Sequence, residues 1–483
     1  MSLTGALYNA FSGLTANARG ASLVASNISN ATTEGYGRRS LELTPSSIGT
    51  SGGVEIHGVL RRSDPAVIAD RRQADARLGN SSTLQTFASG LEDAVGSSDV
   101  QGSLPMRIAA FENALIVAAA NPSSAQRLES VAHAGANLAR KFNDVSDELQ
   151  AGRQAADRSI GLQVDRLNQT LTRVDELNQE IVRAKARKGD TAALLDERQR
   201  IIDGVSEMVP LRMVERDNGE VSLFTKRGAI LLDGGLKAEI GFSGRNAIGP
   251  EMTQAGGQLS GMTINGKPID TSGAGVFAGG TIAAQFEIRD EIAVTRQAEL
   301  DGLARELTER LGQGGPDATI GATAAGLFTN AGTPFAAADE VGFAQTIELN
   351  SLVAPGSGGT WRLRDGLYAT SQGEVGDADL LNAISGALSE VAAPASASLD
   401  PSARSYTDFV SSFVSDVAGA RVRRDSEQTY QAASQLALRE MELSIGVDTD
   451  QELQRLMEIE QHYAANAQVM SVVDDLMERL LSI

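Results

Sequence analysis

The sequence predicts a mainly α protein with inserted β-rich segments, folded back so that its first and last helices pair as a coiled coil. Three observations carry this. Apolar residues recur in alternating steps of four and three at both ends of the chain. Helical periodicity runs almost unbroken from Pro65 to Lys188, far beyond an ordinary globular helix. Two stretches between helices, 209–280 and 313–376, carry turn residues and short alternating runs instead.

The opening seam reads Leu3, Leu7, Ala10, Leu14, Asn17, Ala21, Val24 and Ile28, continuing to Ala31. The closing seam reads Leu456, Ile459, Tyr463, Asn466, Met470, Val473, Met477 and Leu480. Each contains one Asn. A lone polar residue in a seam is either tolerated because a short coil is partly wet, or it selects register and partner; both readings stand. Helices this short with small seam residues are marginal alone, so both ends are expected to be largely disordered in the free chain and to order on assembly.

Between the seams the chain divides as follows. The first helix stops in Asn27-Ile-Ser-Asn-Ala-Thr-Thr-Glu-Gly35, where side chains that cap and turn are concentrated. Arg38 to Ile56 alternates around Pro45-Ser-Ser-Ile-Gly49, as extended arms or a hairpin. Asp64-Pro65 opens a helix, Leu104–Ala120 forms a second that breaks at Asn121-Pro122, and Ser123 to Lys188 forms a long third with Leu128, Val131, Leu138 and Phe142 on one face. Ala192–Met208 is a further helix. Asn218-Gly219, Asp233-Gly-Gly and Asn265-Gly266 mark hairpin turns after Pro210. Helix returns over Gly279–Leu311, Asp377–Val391, Ser405–Leu443 and Asp450–Ile483, while Thr346-Ile-Glu-Leu and Thr360-Trp-Arg-Leu are β-compatible. The expected partition is 1–35 and 450–483 as the terminal coil; 36–208, 281–312 and 377–449 as arms and helical rod; 209–280 as a β-rich domain; and 313–376 as a second β-rich or irregular segment outside the rod.

The composition narrows the function. A formal net charge of −20 leaves nothing to neutralise a run of phosphates, which argues against nucleic acid and anionic membrane surfaces. Aromatic residues make up 4% of the chain while Ala and Gly abound, so helices are expected to pack through small side chains. The absence of cysteine excludes disulfides and thiol chemistry. No run of eighteen apolar residues exists, and the N-terminus lacks a basic region ahead of an apolar core, so no membrane span and no cleaved signal are expected. An export route that leaves the N-terminus intact remains compatible.

No catalytic constellation emerges. Gly261-Met-Thr-Ile-Asn-Gly266-Lys267 has the spacing of a phosphate-binding loop, but Pro268 stands where Ser or Thr must hold Mg²⁺ and no helix pattern follows; a hairpin with Asn265-Gly266 at its tip explains the same residues. Gly273-Ala-Gly275-Val-Phe-Ala278 resembles a dinucleotide fingerprint without its βαβ setting and reads as a flexible join. His57, His133 and His462 are scattered, no nucleophile elbow occurs, and Asp474-Asp475 sits on a solvent-facing arc of a helix. The expectation is no enzyme, no cofactor and no metal.

Asn27-Ile-Ser-Asn30-Ala-Thr-Thr-Glu-Gly35-Tyr36 resembles the N-terminal motif of the axial proteins of bacterial flagella, and Arg38 behind it is similar to the hook-associated members rather than to rod or hook proteins. Leu453-Gln-Arg-Leu-Met-Glu-Ile-Glu-Gln-His-Tyr463-Ala-Ala-Asn-Ala-Gln-Val-Met resembles the matching C-terminal motif. Leu194-Leu-Asp-Glu-Arg-Gln-Arg, Gly279-Gly-Thr-Ile-Ala-Ala-Gln-Phe-Glu-Ile-Arg-Asp-Glu and Trp361-Arg-Leu-Arg-Asp-Gly are similar to interior blocks of the hook-associated protein 1 family. The chain departs at Glu34, where Pro is common, and at Ser444-Ile-Gly-Val-Asp448, which differs from the usual Ser-Gly-Val-Asn turn. The resemblance implies an inner coiled-coil layer, a helical rod outside it and β-rich domains outermost. It implies a structural protein stacked helically with copies of itself between hook and filament, neighbouring hook protein and hook-associated protein 3. It further implies secretion by the flagellar type III apparatus without a cleaved signal, with an export chaperone shielding the C-terminal tail. Alternatives are another axial protein, hook-associated protein 3 or hook protein, and, from another class, a cytoplasmic coiled-coil scaffold.

Overall fold

A computed structural model describes residues 3–46 and 52–482. Most of the expected Pro45–Gly49 turn falls outside them, as do residues 1, 2 and 483 at the ends of the expected terminal coil. Helix α1 (Leu3–Ser29) leads into an antiparallel hairpin of β1 (Arg38–Pro45) and β2 (Val54–Arg62), whose register shifts between Glu42 and Leu43. Then come α2 (Pro65–Val95), α3 (Leu104–Ala119), the long α4 (Ala125–Ala186) and α5 (Ala192–Asp203). The helix starts follow from their caps. Asp64 accepts from the N–H groups of Ala66 and Val67 with Pro65 in the first turn, and Ser103 and Ser124 cap α3 and α4 in the same way. Each side-chain oxygen satisfies a donor that has no partner inside the helix. The expected helix over Ala192–Met208 stops at Asp203 and finishes in turns ahead of Pro210.

The β-rich stretch is a four-strand antiparallel meander of β3 (Leu211–Glu215), β4 (Val221–Thr225), β5 (Ile230–Asp233) and β6 (Leu236–Lys237), beside a three-strand sheet of β7 (Ile240–Gly241), β8 (Thr263–Ile264) and β9 (Lys267–Pro268). Asn265 and Gly266, with φ of 51° and 75°, form the tight turn between β8 and β9; positive φ at both central residues is what a type I′ hairpin requires. Leu211, Val221, Leu223 and Leu232 pack against Ile160, Val164, Leu167 and Leu171 on the second half of α4, so this module is built on the rod helix.

Return to helix is not a single element. It is α6 (Thr281–Glu287), a π-helical turn over Ile288–Ile292 and α7 (Ala293–Arg310). The π turn accommodates one extra residue, and fully buried Arg289 lies on it.

The segment 313–376 corrects the expected partition. It contains β10 (Phe328–Asn330), the short α8 (Phe343–Thr346), β11 (Ile347–Leu349) and α9 (Arg362–Asp365), with β10 and β11 paired antiparallel. Thr346-Ile-Glu-Leu does supply a strand, but Arg362–Asp365 is a helical turn rather than β structure. Nor does the segment stand outside the rod. Leu327, Phe328, Phe343, Ile347, Val353 and Leu363 join one core with α3, α4 and α7 and with α10 (Asp379–Ser389) and α11 (Tyr406–Ile445). A two-strand ribbon cannot bury its own apolar side chains, so they are buried against the helices.

The chain closes with α11 antiparallel to α2 and α12 (Thr449–Leu481) against α1. Arg71–Glu442, Asp75–Gln435 and Glu92–Arg421 fix the direction of the first pair. The two terminal helices therefore leave the rod together, at the end where α2 begins and α11 finishes.

Candidate functional site

The pairing of α1 with α12 is built on small residues. A Cβ on Gly13 would lie 2.7 Å from Asn466 Nδ2, and one on Gly20 would lie 3.2 Å from Ile459 Cδ1. Asn27 donates to Glu452 Oε2 at 2.9 Å. From Gly13 to Gly20 to Asn27 the contacts step seven residues forward on α1 and seven back on α12. The helices are antiparallel in one register.

Of the opening heptad positions, Ala10 and Val24 are buried, while Leu3, Leu7, Leu14, Asn17, Ala21 and Ile28 are half-buried. Of the closing positions, Val473 is buried, Leu456, Ile459, Asn466 and Met470 are half-buried, and Tyr463, Met477 and Leu480 are exposed. The face of α1 toward α12 includes Gly13 and Gly20, about one position round from the apolar seam. Another flank is covered by the chain's own hairpin: Val54 N–H donates to the Ser12 hydroxyl, and Leu41 lies over Gly20. Asn17 and Asn466 make no hydrogen bond among the described residues.

The polar residue that does bind is Asn27, 1% exposed. Its amide nitrogen donates to Arg39 O and Glu452 Oε2, and its oxygen accepts from Arg39 N–H and the Tyr36 hydroxyl, all at 2.9 Å. Every hydrogen-bonding position of the amide is used. Glu452, also 1% exposed, takes the Arg38 guanidinium at 2.6 Å on its other oxygen. Gly35 makes the turn that brings Tyr36 back, with φ of 77°, a backbone conformation that favours glycine. Asn30 bonds back to Ser26 O at 2.9 Å and closes the last turn of α1. Asn27, Tyr36 and Arg38 thus meet in one cluster, completed by Glu452 from the far end of the sequence, while Asn30 and Gly35 shape the turns beside it.

A second carboxylate ties this cluster to the rod. Asp196 on α5 accepts from Gly37 N–H at 2.9 Å, Arg39 at 2.8 Å and Arg61 at 2.6 Å. Arg61 also donates to Gln199, whose amide reaches Glu442 at 3.2 Å. Glu442 in turn pairs with Arg71, which also binds Asp75 and Asp203. Burial alone would lower the Arg71 guanidinium, but Asp203, Glu442 and Asp75 together hold it above its ordinary value. Arg198 of the same helix donates to Asn178 Oδ1 and Gly219 O, and burial lowers it to about 10, still charged at neutral pH. Leu194-Leu-Asp-Glu-Arg-Gln-Arg is therefore the joint between coil, hairpin, rod and β module. The sequence reading missed Glu452, Asp196, Arg61 and the glycine face. Glu452 continues the closing seam one step before Leu456, and the seven-residue spacing of Gly13 and Gly20 is visible in the sequence.

Such a joint fixes the helices relative to one another through paired charges. Among the described residues, no group of three or more His, Asp or Glu side chains is placed to hold a metal ion.

Comparison with known proteins gives a concordant picture. Residues 88–314 match a family model described as the flagellar hook-associated protein FlgK helical domain, and residues 444–483 match one described as the flagellar basal body rod FlgEFG protein C-terminal. The chain is 22% identical to flagellar hook-associated protein 1 of Salmonella typhimurium, over 98% of this chain and 99% of the relative. It is likewise 22% identical to the Escherichia coli K12 protein of that name over the same shares. The Bacillus subtilis protein of that name is 24% identical over 46% of each chain. Among solved structures, the flagellar hook junction protein FlgK of Burkholderia pseudomallei matches 54% of this chain and 46% of its own, at 18% identity and a TM-score of 0.43. With the rod block and the tail each matched and relatives of one name matched over nearly their whole length, the chain is similar from end to end to flagellar hook-associated protein 1.

Proposed function

We propose that the protein is a structural element of the flagellum that assembles with copies of itself as a helical layer between hook and filament. The exposed flanks of its paired terminal helices supply the contacts between copies. The observation that carries this is apolar surface left uncovered on those helices. Tyr8 and Phe11 on α1, and Leu453, Met457, Val472, Leu476, Met477 and Leu480 on α12, are each more than two-fifths exposed. A soluble monomer at −20 net charge rarely leaves such a face unmet. Hook protein on one side and hook-associated protein 3 on the other are the neighbours this placement requires. The protein reaches that place through the flagellar type III route without a cleaved signal, with an export chaperone covering the tail beforehand. Neither a catalytic step nor a cofactor enters this role. Electron microscopy of sheared flagella carrying a tagged chain is the test. Label in a narrow band where hook meets filament is the expected result. Label along the filament, along the hook or only in the cytosol overturns it.

A further inference from the structure

A seam of apolar heptads does not by itself fix an alignment, because sliding one helix by seven residues, about 10 Å, lays seam position on seam position again. Here the degeneracy is deepened by the glycines: Gly13 and Gly20 are themselves one heptad apart and present the same flat surface to α12. Nor do the connections forbid a slide, since eight residues separate α1 from β1 and three separate α11 from α12. Asn27 and Glu452 have no counterpart one heptad away. In one slipped alignment Glu452 would face Gly20; in the other Asn27 would face Ile459. Either way a carboxylate that is 1% exposed loses its amide donor and is drawn from Arg38, while Asn27 loses the acceptor that completes its four bonds. Stranding buried polar groups is the strongest penalty such a slide can meet.

We propose that Asn27, Arg38 and Glu452 are the register-determining residues of the terminal coil, selecting one heptad alignment of α1 on α12 and fixing it to the rod through Arg39 and Asp196. The seam asparagines Asn17 and Asn466, whose side chains make no hydrogen bond among the described residues, do not share this task. The inference deepens the assembly reading above. A coil that met its neighbours in several alignments could not build one lattice.

The chain has no cysteine, so paired cysteines report alignment directly. Gly20→Cys with Ile459→Cys should close a disulfide under mild oxidation, whereas Gly20→Cys with Asn466→Cys, which meet only after a one-heptad slide, should not. Adding Asn27→Leu with Glu452→Leu keeps the coil apolar and should raise the slipped disulfide roughly tenfold or more. Glu452→Gln, which retains an acceptor for Asn27, should keep the native pair dominant. An unchanged ratio in the leucine variant overturns the proposal. So does absence of the native disulfide in Gly20→Cys/Ile459→Cys with the cluster intact, or loss of both disulfides in the leucine variant while the rod melts normally, since the cluster would then hold the coil shut without choosing its alignment. Tagged parent chain at the hook–filament boundary, combined with an unchanged ratio, removes this proposal and leaves the assembly reading standing.

Discussion

Two buried charges in the rod show how differently the same fold treats them. Arg289 is fully buried, yet it is answered on every side: Asp157 at 2.7 Å, Asp290 at 2.8 Å, Ser260 O at 2.9 Å, and the Phe286 ring beneath it at 4.8 Å. Asp301 on α7, 1% exposed, pairs with no cation among the described residues. Its oxygens accept from Gly342 N–H at 2.7 Å, Ala344 N–H at 2.8 Å and the Gln297 amide at 2.9 Å, pinning the start of α8. Burial raises its carboxyl from 3.8 to about 6, against the pull of those donors. Because the folded value lies above the unfolded one, the folded chain holds this proton more tightly. Asp301 therefore contributes most at low pH, and that contribution is lost as pH rises from about 4 through about 6. Asp301→Asn should remove the dependence. Urea unfolding across that range should show the parent losing about 2–3 kcal/mol relative to the variant. A difference between the two that stays constant with pH would show that Asp301 keeps its ordinary titration.

At the scale of elements, the protein uses one arrangement twice, with unequal strength. The α2–α11 pair is bound by ion pairs along its length and shares a core with α4 and α7, where Leu91, Leu149, Leu300 and Val417 are buried. The α1–α12 pair has its polar cluster at the rod end, and beyond it glycine, alanine, buried Val24 and Val473, and half-covered apolar residues. Toward the tip Phe11 is 60% exposed and Leu480 59%. Local opening costs least where few apolar contacts and many solvated backbone bonds occur. In the free chain, amides of residues 24–29 and 449–459 should therefore exchange at least about tenfold more slowly than those of residues 5–20 and 463–481. Hydrogen exchange with mass spectrometry reads this directly. Uniformly strong protection from one end of α1 to the other would mean the coil is complete before assembly. The sequence alone predicts that both ends are largely disordered in the free chain; the Asn27–Glu452 cluster is the reason to expect a gradient.

For the molecule as a whole, what could be read in advance was whatever repeats locally. The periods of α2, α4, α11 and α12, the helix start at Asp64-Pro65 and the Asn265-Gly266 turn are all decided within a few neighbours. What could not be read depends on residues far apart in sequence. Glu452 is one more acid on a charged helix until Asn27 and Arg38 meet it, and Asp196 gains its role only when Gly37, Arg39 and Arg61 converge. The placement of 313–376 failed for the same reason, since Phe328 and Phe343 reveal their partners only once α3, α4 and α7 are packed. This division has a mechanical consequence. The two large apolar cores lie wholly between residues 91 and 417 and contain no residue of α1 or α12. The rod should therefore keep its stability when the coil is damaged. Met470 is half-buried on α12, between Asn466 and Val473 on the face toward α1. Met470→Asp places a carboxylate at a half-buried position of the coil. The purified variant should melt within about 2 °C of the parent, since the structure it loses is outside the cooperative core. In cells it should be exported yet fail to enter the junction, leaving hooks without filaments. Normal filaments on the variant would remove α12 from the assembly contact, and a melt lowered by about 10 °C or more would show that coil and rod fold as one unit.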